Sequence, residues 1–95
     1  MSTLDTIATK IIKEQELVIG PLAWSEAGKV QGLQIDRTHR EIAMNNGDPK
    51  DVVNRLVAQY ERLFGRASRE VCRDAVAGML ADLPVAQIPS SLLPA

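Results

Sequence analysis

"DPKDVVNRLVAQYERLFGRASREVCRDAVAGML", residues 48–80, decides the fold. Asp48-Pro49 is a strong helix start, an Asp cap followed by proline at the first helical position. Val52, Val53, Leu56, Val57, Tyr60, Leu63 and Phe64 then recur at helical spacing and form one apolar stripe. Gly65 is placed to end that helix in a left-handed conformation. Ser68 can cap a second helix, with Glu70 in its first turn. Val71, Cys72, Ala75, Val76, Met79 and Leu80 make the matching stripe. A connection of about four residues between two such stripes predicts an antiparallel helical hairpin.

Upstream the pattern is helical again. Ser2 followed by Asp5 resembles a capping box. Leu4, Ile7, Ala8, Ile11 and Ile12 follow helical spacing, and Val18 and Ile19 continue the stripe. The spacing predicts an amphipathic helix of about 16 residues, roughly 24 Å long. Gly20-Pro21 ends it, because proline cannot donate to the helical ladder. "PLAWSEAGKV" reads as a short second helix with Leu22, Ala23, Ala27 and Val30 on one side. The period then changes to two. Leu33 and Ile35 alternate in "GLQID", and Ile42 and Met44 alternate in "EIAMN", which predicts two short strands. The polar run between them reads as a hairpin loop longer than two residues. Asn46-Gly47 breaks the chain before the Asp48 cap.

Beyond Pro84 the segment "LPVAQIPSSLLPA" is too proline-rich for one helix and carries no charge, yet it retains Val85, Ile88, Leu92 and Leu93. The expected fold is therefore an α-dominant α+β domain. It comprises an N-terminal amphipathic helix, a short second helix, a two-stranded β-hairpin, an antiparallel helical hairpin and a Pro-rich apolar tail. Residues 1–83 form the domain and 84–95 an extended tail.

Ninety-five residues make one small domain, and a domain of this size gains readily from oligomerisation. Trp24, Tyr60 and Phe64 are the only aromatics, so the core must be aliphatic. A net charge of −1 gives no long-range pull toward nucleic acid or anionic lipid. The chain has one cysteine, hence no internal disulfide. The first residues lack a basic segment followed by an apolar stretch, so neither secretion nor membrane insertion is expected, and a cytoplasmic location is.

Catalytic and metal chemistry find little footing. One His and one Cys cannot build a common transition-metal site, and Asp48 with Asp51 is only a fragment of a calcium loop, so no metal or cofactor is expected. Cys72 falls near the centre of its apolar stripe and reads as a small buried hydrophobe. Glu14 and Glu16 diverge on a helix. "NNGDPKD" lacks the Gly-Lys-Ser/Thr of a phosphate loop. His39 lies among Asp36, Arg37, Arg40 and Glu41. It reads as part of a polar bend, and a ligand or catalytic role would need residues from the helices to converge on it.

All seven arginines lie within residues 37–73. Arg55, Arg62, Arg66, Arg69 and Arg73 would form a basic strip on the helical hairpin, an alternative nucleic-acid or acidic-partner surface. Local pairs (Asp51 with Arg55, Arg66 with Glu70, Glu70 with Arg73) would weaken it. Gln15 interrupts the first helix's stripe, where a polar residue can fix register or oligomer state, and Leu17 points to the polar face. Trp24 and the apolar tail are further anchors. The reading is a non-enzymatic protein–protein interaction module, an adaptor acting as a homo-oligomer or as an accessory or regulatory subunit. Its expected contacts are Ile11, Gln15, Val18, Trp24, Ile88, Leu92 and Leu93. A nucleic-acid-binding regulator is the alternative, and a small-ligand sensor or enzyme the third.

Overall fold

The computed structural model describes residues 3–36, 38 and 39, 41–44 and 48–93. The predicted Ser2 cap, Arg37, Arg40 and the Asn46-Gly47 breaker lie outside them. Helix α1 (Thr3–Ile19) is followed by α2 (Leu22–Ala27), strands β1 (Leu33–Asp36) and β2 (Glu41–Met44), and helices α3 (Pro49–Phe64) and α4 (Arg66–Leu80). Two 3-10 turns, Val85–Gln87 and Ser90–Leu92, complete the order. The chain is the expected α-dominant α+β fold, mostly helical with one antiparallel hairpin of strands and one of helices.

Helix α3 starts as its sequence requires. Asp48 is extended, its carboxylate accepts from the Lys50 backbone N–H at 2.9 Å, and Pro49 opens the first turn. The reversal into α4 is tighter than expected. One residue, Gly65, separates the helices rather than about four. Its N–H donates to the Glu61 carbonyl at 2.8 Å, and its own carbonyl accepts from Ser68 N–H at 3.1 Å. Gly65 thus closes α3 and caps α4, so Ser68 is not the cap but a buried residue of the first turn. The required backbone, φ +91° and ψ 178°, is one that essentially only glycine adopts.

Helix α1 crosses this pair, packing chiefly on α4 and also on α2, α3 and β2. Ile7, Ala8, Ile11 and Ile12 are buried, as the stripe predicts, but Val18 is not, and only Ile19 stays partly covered. Leu17 faces solvent, as expected. In α2 the faces differ from the sequence expectation. Leu22 is on the outside and Trp24 is buried beside Ala23 and Ala27. Tyr60 ties α3 to α2, donating its hydroxyl proton to the Ala23 carbonyl at 2.7 Å. In α3, Leu63 is half-exposed instead of lying on the stripe.

The β-hairpin pairs Leu33 with Met44 and Ile35 with Ile42 on one face, and Gln34 with Ala43 and Asp36 with Glu41 on the other. Two strands alone are marginal in water, and here α1 and α2 pack against them. The tail is not free. Its second 3-10 turn lies across α3 and α4, with Pro89 and Leu92 buried.

Nothing lies within 4 Å of a Cβ placed on Gly65. Gly65→Ala should therefore lose about 1–3 kcal/mol through backbone strain alone, read from urea midpoints at unchanged m-value. An unchanged midpoint would show that the reversal does not need glycine.

Candidate functional site

Of the seven expected contact residues, four are consumed by the chain's own core. Ile11, Gln15, Trp24 and Leu92 are buried. They are not surface groups, because α4 covers the α1 stripe, α2 packs its Trp24 side on α1 and α3, and the tail folds back. Ile88 and Leu93 are half-buried in the strap. Val18 alone stands clear.

Gln15 meets backbone and sulfur rather than a second chain. Its Nε2 donates to the Ser68 carbonyl at 3.0 Å and to Cys72 Sγ at 3.3 Å. Its Oε1 is buried with no hydrogen-bond partner, as are Trp24 Nε1 and Arg73 Nε, among the described residues. Gln15 thus fixes the register of α1 on α4.

Around that seam lies the first candidate surface. Leu17 is 80% exposed and Val18 65%, adjacent on α1. They line a groove of about 460 Å³ with Val71 and Ala75 of α4. Lys10, Glu14 and Asp74 edge it, and Lys10 Nζ pairs with Glu14 Oε1 at 3.0 Å. An apolar centre with a charged rim is the anatomy of a protein contact.

A second groove, about 410 Å³, runs between α1 and the β-hairpin. Thr6, Thr9, Lys10 and Lys13 form its helical wall at i, i+3, i+4, i+7 spacing; His39, Glu41 and Ile42 form the other. The convergence that a histidine site requires is therefore present, which the sequence left open. Asp36 organises the loop. Its Oδ1 accepts from the Thr38 and His39 backbone N–H groups at 3.1 and 3.3 Å, and its Oδ2 lies 2.7 Å from His39 Nδ1. That carboxylate holds the His39 pKa above its ordinary 6.5, and the same contact holds Asp36 below 3.8. Two hydroxyl or thiol groups are engaged elsewhere. The Thr9 hydroxyl donates to the Asp5 carbonyl at 2.9 Å, and Cys72 is in the core. The groove brings two lysines, two threonines and the imidazole together with the Glu41 carboxylate.

Four of the five arginines of the expected strip are engaged by other groups of the chain. Arg55 donates to the Gln31 carbonyl at 3.3 Å rather than pairing with Asp51, and Arg62 donates to Gln59 Oε1 at 2.7 Å. Arg69 donates to the Ser91 carbonyl at 3.3 Å and faces Glu61 at 3.8 Å. Arg73 pairs with Glu70 at 3.4 Å, as expected. Arg66 is exposed.

One buried carboxylate escaped the sequence reading. Glu26 accepts from Lys29 Nζ at 3.0 Å and Gln59 Nε2 at 2.9 Å. Both contacts, Lys29 first, hold its pKa below 4.5. Nothing in "AWSEAGK" marks it as inward-facing, since Gln59 is 33 residues away.

Among the described residues no cluster of three His, Cys, Asp or Glu side chains could hold a metal ion, and no helix is long and apolar enough to cross a membrane. Compared with known proteins, the chain matches no family model, no curated protein and no solved structure.

Two chemical outcomes follow from these environments. Burial pushes the Cys72 thiol up to about 11. Native protein at pH 8 should leave Cys72 unmodified by a disulfide reagent except at the rate of unfolding, and should react fully in urea. Fast labelling of the folded chain would contradict this burial. The imidazole of His39 should titrate above 6.5 by NMR, and Asp36→Asn should return it toward that value. The sign differs for the two partners. A raised His39 pKa stabilises the fold below 6.5, and this is lost as pH rises through the folded value. A lowered Asp36 pKa stabilises it above 3.8, and this is lost as pH falls through the folded value. An imidazole indifferent to Asp36→Asn would remove the contact.

Proposed function

We propose that this chain is a non-enzymatic protein–protein interaction module of the cytoplasm. It works as a homo-oligomer or as an accessory, regulatory subunit of a larger assembly. The observation that carries this reading is the adjacent exposure of Leu17 and Val18 beside Val71 and Ala75. Fully burying an exposed leucine or valine stabilises by about 1.5–3 kcal/mol. Two neighbouring side chains of this kind on a rigid helix are a natural centre for a contact. Gln15 supports the reading from beneath, since it fixes the α1 position that presents them. The arginines' engagement with carbonyls, Gln59 and glutamates favours a protein contact over a phosphate-tracking strip.

A second reading rests on the groove at His39. Its lysines, threonines and imidazole fit a small anionic ligand, the sensor alternative. Glu41 in the same wall and the Glu14 partner of Lys10 offset part of that charge, so the protein contact is placed first.

The test is sedimentation velocity on the full chain, alone and with co-purified proteins, against Leu17→Glu/Val18→Glu. The unaltered chain should sediment as an oligomer or in a stoichiometric complex. The double variant should be monomeric and free, with stability changed by no more than about 0.5 kcal/mol because both positions are exposed. A complex unaffected by both glutamates would reject this face, and an unaltered chain that is monomeric and unaccompanied would reject the module reading.

A further inference from the structure

The tail's hold on the helical hairpin is built like peptide recognition. Pro89-Ser90-Ser91-Leu92 forms a single turn, closed by Leu92 N–H donating to the Pro89 carbonyl at 3.0 Å. Pro89 and Leu92 are its two buried anchors. The remaining grip is on backbone atoms and on the Ser91 hydroxyl. Asn54 Oδ1 accepts from Ser91 N–H at 3.0 Å and from the Ser91 hydroxyl at 2.6 Å. Arg69 Nε donates to the Ser91 carbonyl, and Lys50 Nζ donates to the Ala86 carbonyl at 2.8 Å. Lys50, Asn54, Val57 and Glu61 fall at i, i+4, i+7 and i+11, one stripe of α3 that runs under the tail.

Such a site reads the main chain, one hydroxyl and two apolar side chains, which a protein segment of the same pattern can supply. The tail also leaves part of the groove unfilled. A space of about 280 Å³ adjoins Ser90 and Ser91, lined by Val57, Ala58, Glu61 and Arg69. In the segment before the turn Val85 is 75% exposed, and Lys50 holds the Ala86 carbonyl.

We infer that the α3–α4 groove is a peptide-binding site for a Pro-x-Ser-Leu turn on a partner protein, held closed by the chain's own Pro89–Leu92 turn. A tethered segment competes at millimolar effective concentration. A partner must therefore gain contacts that the tether lacks, and the unfilled space lined by Val57, Ala58, Glu61 and Arg69 supplies them. This site is distinct from the Leu17–Val18 face and does not depend on it.

The test uses a labelled peptide of residues 84–93 and the full chain carrying Leu92→Asp, which opens the groove. Anisotropy should show binding on the order of 100-fold tighter than to the unaltered chain, where the turn competes. Adding Asn54→Ala should weaken binding about tenfold, and a peptide with Leu92→Asp should not bind. Should Leu92→Asp prevent folding, the milder Leu92→Ala opens the same site. Absence of binding by a folded, opened chain would overturn the inference, as would equal affinity for the unaltered chain. Binding lost through Leu17→Glu/Val18→Glu would place the peptide on the other face and overturn it equally.

Discussion

The reversal at Gly65 is the constraint on which the other contacts rest. One residue returns the chain from α3 to α4, so the helices meet at their joint with no loop between them. That closeness leaves Ser68 and Cys72 at the seam, where Gln15 of α1 hydrogen-bonds to both. It also sets Asn54 of α3 and Arg69 of α4 within reach of the same residue, Ser91. The backbone conformation that makes this possible is strained for any other residue, so the fold's organisation is concentrated in a position with no side chain.

A small aliphatic core cannot tolerate many polar intrusions, and this one handles them unequally. The Tyr60 hydroxyl is satisfied by Ala23, and desolvation raises its pKa, which keeps it a neutral donor. Gln15 satisfies its amide N–H but leaves Oε1 without a partner. An apolar residue of similar volume would remove that cost. Gln15 is therefore better understood as a register-setting group than as a source of net stability. Sliding α1 by one turn would take Nε2 away from Ser68 and bury the whole amide unpaired.

Much of this was legible in the residues. The Asp48-Pro49 start, the alternation across Leu33–Ile35 and Ile42–Met44, and the burial of Cys72 all follow from local rules that the structure obeys. The misses have physical causes. Helix α2 has six residues, under two turns, too few for periodicity to tell Leu22 from Trp24. Val18 lies close to Ile7 and Ile11 around the α1 axis, but it sits in the last turn, where the neighbouring elements leave it uncovered while Ile19 stays partly covered. Three of the six apolar contact residues expected, Ile11, Trp24 and Leu92, are core for the same reason that they were conspicuous, since large apolar side chains are what a small domain first buries. The surfaces that remain are set by which side chains the neighbours fail to cover, a question of three-dimensional packing that spacing does not answer.

Helix α4 shows why the two proposed surfaces can act separately. Its buried line is Ser68, Cys72 and Val76. Val71 and Ala75 lie to one side of that line, in the groove with Leu17 and Val18. Arg69 lies toward the other, against Ser91. Residues 69 and 71 are about 200° apart around the helix axis, so a partner on one face does not block the other. What joins the faces is the rigid seam of Gln15, Ser68 and Cys72, packed at interior density and therefore resistant to gradual deformation. Coupling between the faces would require α1 to shift on α4, and the single register that Gln15 permits opposes that shift. The physical expectation is two independent contacts on one scaffold, with the tail regulating only its own.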